Sequence, residues 1–80
     1  MPNPTITVWD LPNCVQCNST KRFLDKHDLP YTEYDLTERP EQAEKFRNAG
    51  YATAPVVVTS HGTWAGFQYD KLQQLAKEYR

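Results

Sequence analysis

The sequence predicts an α/β domain: a four-stranded mixed sheet with three helices, in the order β-α-β-α-β-β-α. Three observations carry the prediction. Short runs of alternating or β-branched residues, TITVW at 5–9, YTEYDL at 31–36 and PVVVTS at 55–60, read as strands. The stretches between and after them repeat apolar or small residues every three or four positions, as one face of a helix does. His61-Gly62 then separates the third run from TWAGF at 63–67, as a two-residue turn joins a hairpin. The early β-α-β unit should be parallel and right-handed, and the late hairpin must be antiparallel. The sheet is therefore mixed, with helices on both faces.

The elements follow in chain order. TITVW opens the sheet after two prolines. DLPN is a loop. From Cys14 to about Asp28 there is no Gly or Pro, and Cys17, Thr20, Leu24 and His27 share one helix face. Pro30 ends that helix, because the residue before a proline avoids the helical region. YTEYDL is the second strand, and Thr37 to Pro40 resets the chain. Pro40 suits a first helical turn, and Glu38 and Glu41 suit the positive helix end. Ala43, Phe46 and Ala49 give a short helix closed by Gly50. PVVVTS is a buried strand. Asp70 reads as an N-cap with Gln73 three residues on, a capping box. Leu72, Leu75, Ala76 and Tyr79 then form the apolar stripe of the last helix.

Composition narrows the class of function. The 80 residues form one domain, expected to span 1–80. A chain this short buries only about 60–65% of its unfolded surface, so its margin of stability is thin. It is 39% hydrophobic and 12% aromatic, which is globular rather than disordered. Net charge is −1, with no run of Lys or Arg, so nothing points to nucleic acid. The longest apolar runs are of strand length, far short of a membrane span. MPNPTITVW lacks the basic and apolar regions of a signal peptide, and a soluble, reducing, cytoplasmic setting is expected.

Cys14 and Cys17, in DLPNCVQCNST at 10–20, are the only cysteines. A disulfide across two residues would stabilise little, since the effect grows with loop length. A structural zinc needs four ligands, and only His27 and His61 could complete the set, so no metal is expected. In a reducing compartment a close pair is more often catalytic or metal-binding than structural. A strand, a CxxC and a helix inside a β-α-β unit are the context of a redox pair. Unpaired N–H groups at the helix start would stabilise a Cys14 thiolate, and Cys17 lies one turn on. Cys14 could then attack a substrate disulfide and Cys17 resolve the product. TAP at 53–55 puts Pro55 at the start of a buried strand. A cis Ala54-Pro55 bond would leave the Ala54 backbone free for a substrate strand, but the residues alone favour trans. In WAGF at 64–67 the two aromatics cannot face the same way on a regular strand. One is exposed, or the strand ends at Gly66.

Together CVQC at 14–17, APVVV at 54–58 and WAGF with Asp70 resemble the NrdH-redoxins, glutaredoxin-like proteins with thioredoxin-like function. STKRFLDK at 19–26 adds weaker similarity, and the resemblance covers essentially the whole chain. It implies the thioredoxin/glutaredoxin fold. It implies a dithiol carrier fed by thioredoxin reductase that reduces a class Ib ribonucleotide reductase or another disulfide protein, without a cofactor. Cys14 would attack and Cys17 resolve. Pro55 would be cis, reversing the reading from the residues alone. Thr53 and Ala54 would line the substrate groove, with Val15 and Gln16 facing the partner. Trp64, Gly66 and Phe67 would belong to a hydrophobic docking surface. A monomer is expected of a carrier that visits two partners. The family motif W-S-G-F-R-P-D reads differently here, with Gln68 and Tyr69 at the Arg and Pro positions. Asp10-Leu11 stands where many relatives carry a basic residue, and Asp10 would oppose a nearby thiolate. Lys21, Arg22 and Lys26 read as a solvated helix face.

Two alternatives are weighed. The first is a glutathione-dependent dithiol glutaredoxin. It would need cationic and polar groups for two carboxylates, where this chain offers Leu11, Val15-Gln16 and Ala65-Gly66-Phe67. The second is a non-catalytic module that holds an iron–sulfur cluster through Cys14 or docks a partner through Trp64.

Overall fold

Alternation in the first strand decides which side chains lie under the helices. The computed structural model describes residues 3–79, so the expected domain bounds at 1 and 80 lie outside the described residues. In β1 (Ile6–Asp10), Ile6, Val8 and Asp10 are buried on one face, while Thr7 and Trp9 are half-buried on the other. The remaining elements are α1 (Val15–Lys26), β2 (Thr32–Asp35), a 3-10 turn (Leu36–Glu38), α2 (Pro40–Asn48), β3 (Val56–Thr59), β4 (Gly62–Ala65) and α3 (Tyr69–Glu78). The sheet order is β2-β1-β3-β4. β1 runs parallel to β2 and antiparallel to β3, and β3 and β4 form the antiparallel hairpin. This is the mixed sheet read from the sequence.

The register explains the two layers. Val8 lies opposite Val57, and with Ile6 both point to the face covered by α1 and α3. Phe23 and Leu24 of α1, Leu29 beyond it, Trp64 of β4 and Leu72 and Leu75 of α3 complete that core. Leu24 and Leu72 have no exposed surface. Burying each contributes about 2 kcal/mol. On the opposite face Trp9 lies between Tyr34 and Val56 in register. Its ring stacks on Tyr34 at 4.6 Å and meets Phe46 of α2 edge-on at 5.5 Å. The Arg39 guanidinium covers the Tyr34 ring at 4.4 Å.

Several boundaries differ from the sequence reading, each for a local reason. Cys14 is the N-cap of α1 rather than its first residue. The helix ends at Lys26, before Pro30 can act. Asp28 takes a left-handed φ of 55°. Its N–H donates to Asp25 O (3.2 Å), and the Leu29 N–H donates to Leu24 O (2.9 Å), a Schellman closure. Leu29 and Leu24 both lie in the core, which seals the turn. The buried face of α1 holds Phe23 in place of His27. His27 is the exposed C-cap and stacks on Phe23 at 4.2 Å. At α2 the same closure uses Gly50, as expected, at φ 95°, with the Tyr51 N–H donating to Phe46 O (2.8 Å). Ala49 there is an exposed C-cap rather than part of an apolar face.

β2 stops at Asp35 because that carboxylate accepts from the Thr37 N–H (2.8 Å) and hydroxyl (2.6 Å), bending Leu36 into the 3-10 turn. Those bonds also hold the Asp35 carboxyl below its ordinary range. The hairpin turn is Ser60-His61, one residue earlier than expected, since Thr59 pairs with Gly62. Thr59 Oγ1 accepts from the His61 N–H (3.1 Å) and donates to Gly62 O (2.7 Å). α3 begins at Tyr69 with Gln68 as its N-cap, so Asp70 is a first-turn residue and not the cap. The Gln68 amide is engaged elsewhere, donating to Ala65 O at 3.0 Å. Asp70 still favours the positive end of the helix.

Candidate dithiol site

The loop after β1 exists to turn Cys14 onto a helix start. Asn13 supplies the turn with φ 58°, a conformation Asn tolerates better than most residues. Cys14 follows with extended backbone, φ −106° and ψ 109°, and its Sγ accepts the Cys17 N–H at 3.1 Å. A capping side chain here is normally Ser, Thr, Asp or Asn. Sulfur in that role gains most when it carries negative charge, so the same bond and the helix dipole favour a thiolate after reduction.

Cys14 and Cys17 are joined as a disulfide. They differ sharply in access: Cys14 is half-buried, while Cys17 has no exposed surface. Helical spacing causes this, since Cys17 begins the buried α1 face that continues through Thr20, Phe23 and Leu24. Thr20 secures the first turn by donating to Gln16 O at 2.8 Å.

The TAP segment runs beside the disulfide. The Ala54–Pro55 bond is cis. Cys14 Sγ lies 3.8 Å from the Ala54 carbonyl oxygen. Thr53 is exposed, Ala54 half-buried and Pro55 buried. Among the described residues the main chain of 52–54 makes no backbone hydrogen bond, leaving an unpaired edge. A cleft of about 320 Å³ opens from this edge, lined by Leu11, Ala43, Phe46, Arg47, Tyr51, Thr53 and Ala54 among others.

WAGF closes the site from the other side, but not as expected. Trp64 is 7% exposed and sits in the core, so it is not part of a docking surface. The strand ends at Ala65, and Gly66 turns the chain at φ 82°. That break resolves the alternation problem: Trp64 faces in, and Phe67, 37% exposed, faces out. Gln16 is exposed, and its carboxamide oxygen accepts the Phe67 N–H at 2.8 Å. A Cβ on Gly66 would lie 3.1 Å from that oxygen and 3.7 Å from Thr53 Oγ1. CVQC, TAP and WAGF therefore meet within a few ångströms.

Exposed apolar side chains flank the dithiol loop at Leu11 (41%) and Val15 (79%), and Tyr69 (53%) is exposed at the start of α3. Tyr69, which the sequence marks only as a departure at the Pro position of the family motif, has its ring 6.4 Å from that of Phe67.

Sequence reasoning also missed the group that answers Asp10. Asp10 is buried, and Lys21 Nζ reaches its Oδ2 at 2.7 Å and Glu33 Oε1 at 3.2 Å. Lys21 is thus not on a solvated face. Chiefly through the Asp10 hydrogen bond, its ammonium is held above the ordinary lysine range. The available signal was spacing, as Lys21 lies four residues after Cys17 and so on the same helix face.

The histidines have other partners. His61 Nδ1 lies 3.1 Å from Glu78 Oε2, and His27 stacks on Phe23. Among the described residues no group of three or more His, Cys, Asp or Glu could hold a metal ion, and no helix is long and apolar enough to cross a membrane.

A disulfide with one reachable sulfur at a helix start stores and releases two electrons. The sheet order and the helices around it are those of the thioredoxin-like fold, and the chain is a small redox protein of that class. The glutaredoxin family model matches residues 5–62. The glutaredoxin-like protein NrdH of Lactococcus lactis subsp. cremoris is 34% identical over 71 residues, 89% of this chain and 99% of that one. The chain belongs to the glutaredoxin family, among its NrdH-redoxins. NrdH of Escherichia coli K12 is 33% identical over 70 residues, covering 88% and 86% of the two chains. The solved structure of the E. coli NrdH-redoxin, whose reported activity profile is thioredoxin-like, superposes with a TM-score of 0.85 at 32% identity, over 89% of this chain and 93% of that one.

Proposed function

We propose that the protein carries electrons from thioredoxin reductase to a class Ib ribonucleotide reductase, as a monomeric, cofactor-free, single-domain dithiol carrier in the cytoplasm. One observation carries the redox part of this reading. Cys14 is reachable and capped by the Cys17 N–H, while Cys17 is wholly buried. That asymmetry supports Cys14 as the attacking thiol and Cys17 as the resolving one.

The exchange balances as two electrons. The Cys14 thiolate attacks one sulfur of the partner disulfide, whose other sulfur leaves as a thiolate and takes up a proton. Cys17 then loses its proton and attacks Cys14 Sγ. The Cys14–partner bond breaks, the partner's second sulfur leaves as a thiolate, and the protein retains the Cys14–Cys17 disulfide. A donor dithiol reverses both steps. The unpaired main chain at Thr53 and Ala54 can align a partner strand, with Pro55 fixing the edge beside Cys14. Leu11, Val15, Phe67 and Tyr69 offer the apolar rim for docking. The E. coli relative's thioredoxin-like profile supports a protein donor. The resemblance to the NrdH-redoxins supports ribonucleotide reductase as acceptor.

Trapping tests the acceptor and the roles together. Reduced Cys17→Ser, mixed with oxidised class Ib ribonucleotide reductase, should accumulate a disulfide-linked complex through Cys14. Cys14→Ser should form none and should lose insulin reduction. Full insulin reduction by both variants would overturn the redox mechanism. Trapping of insulin but never of the ribonucleotide reductase would overturn the proposed acceptor.

A further inference from the structure

The cleft beside the dithiol carries charge of one sign. Arg47 is the only charged side chain among the residues that line it, and among the described residues it has no ion pair. The rest of the wall is apolar or neutral, with Leu11, Phe46 and Tyr51 prominent. Arg47 stands in the last turn of α2, where a cation suits the negative helix end. Lys45 serves the same helix end from outside this cleft. Arg47 differs in lining the space that opens beside Cys14.

Two observations define what the cleft can take. The main chain of 52–54 makes no backbone hydrogen bond among the described residues, and an extended segment pairs with such an edge. A helix, about 10 Å across with its own groups satisfied, would leave the edge unpaired. Cys14 Sγ lies 3.8 Å from Ala54 O, so a partner cysteine that meets Cys14 arrives at the edge itself. The residues next to that cysteine then pass along the cleft, because Ala54, Thr53 and Ala52 lead from the sulfur into it. Alternate side chains of an extended segment turn to opposite sides. One set therefore meets the apolar wall and Arg47. The guanidinium fork matches a carboxylate, and apolar walls strengthen that attraction relative to an open surface.

We infer that Arg47 is a specificity-determining residue: the cleft takes an extended partner segment with an acidic side chain near its reacting cysteine. This rests on the reading of the protein as a dithiol carrier, and it names the chemistry of the disulfide partner that the carrier serves.

The test uses the reduced full-length protein and short peptides whose single cysteine is joined to 2-thiopyridine through a disulfide. The Cys14 thiolate attacks the peptide sulfur, the S–S bond breaks, and pyridine-2-thiolate leaves and takes up a proton to give the absorbing thione. Cys17 then loses its proton, attacks Cys14 Sγ and releases the peptide as a thiolate. The flanking residues are leucine and glutamine, and glutamate replaces one residue at a time on either side of the cysteine. At low salt at least one glutamate position should raise the second-order rate constant about fivefold, the upper range for an exposed ion pair. Added salt should shrink the preference. In Arg47→Gln the same two peptides should react alike, and Arg47→Glu should instead prefer lysine at that position. Ratios within each variant cancel general changes in thiol reactivity, and a merely structural role for Arg47 would not reverse them. No glutamate position above about 1.5-fold in the parent, or a preference that survives in Arg47→Gln, overturns the inference. Equal rates for all peptides would strike Arg47 alone and leave the carrier reading standing. No exchange with any peptide would strike the carrier reading, and the inference with it.

Discussion

Lys21→Met should destabilise the protein by about 2 kcal/mol, through the buried Asp10 it leaves behind. The magnitude follows from the geometry. The ammonium lies 2.7 Å from Asp10 Oδ2, with side-chain exposures of 21% and 9%. At an effective dielectric near 20 such a pair attracts by about 6 kcal/mol. Desolvation of both groups and the fixed lysine chain offset about two-thirds of this. Glu33, 47% exposed at 3.2 Å, adds under about 0.5 kcal/mol. For a chain of this size a 2 kcal/mol loss lowers Tm by roughly 10 °C. The assay is urea unfolding of the parent, Lys21→Met, Asp10→Asn and the double variant. The cycle should return a coupling of about 1.5 kcal/mol. A coupling below about 0.5 kcal/mol would refute the argument. The pH dependence has a definite sign. Lys21 is raised above its ordinary 10.5, so the pairing is complete below that pH and is lost as pH climbs through the raised value. The gap between parent and Lys21→Met should hold to about pH 10 and close above it.

Three further outcomes follow from the site. Iodoacetamide on the reduced, native protein should modify Cys14 alone, because Cys17 has no exposed surface; equal modification of both by mass spectrometry would contradict the asymmetry. The pH profile of that alkylation should show Cys14 reacting below the pH at which an ordinary thiol ionises, because the helix start favours the thiolate. In Lys21→Met the same profile should move upward, since the Asp10 charge is no longer answered; an unmoved profile would separate the pair from the thiol. Gly66→Ala should cost about 1–2 kcal/mol in thermal unfolding, from φ 82° and the 3.1 Å approach to Gln16 Oε1. A neutral result there would mean that the turn relaxes freely.

What was legible in the sequence was local. Strand alternation, the hairpin turn and the CxxC at a helix start gave the element order and the two cysteines, because periodicity and turn chemistry act within a few residues. What was not legible depended on distant partners or on competing caps. Spacing puts His27 on the α1 face of Cys17, Thr20 and Leu24, but the closure at Asp28 and Leu29 ends the helix before it. Asp70 looked like a cap, but the chain entered α3 through Gln68. Trp64 and Phe67 could not be divided between core and surface until Gly66 was seen to break the strand. The unmatched charge of Asp10 found its answer eleven residues away in Lys21, across a strand–helix contact that no local pattern announces. Gln16 reads as a residue for partners, and its bond to a donor 51 positions away is equally invisible to local pattern.

The central claim is that this dithiol is served by a protein reductant. The direct measurement is reduction of the oxidised protein, followed as turnover of insulin disulfides, with NADPH and thioredoxin reductase in one arm and glutathione with glutathione reductase in the other. The account predicts efficient turnover in the first arm, little in the second, and none in either for Cys14→Ser. Efficient turnover with glutathione alone, and none with thioredoxin reductase, would contradict it.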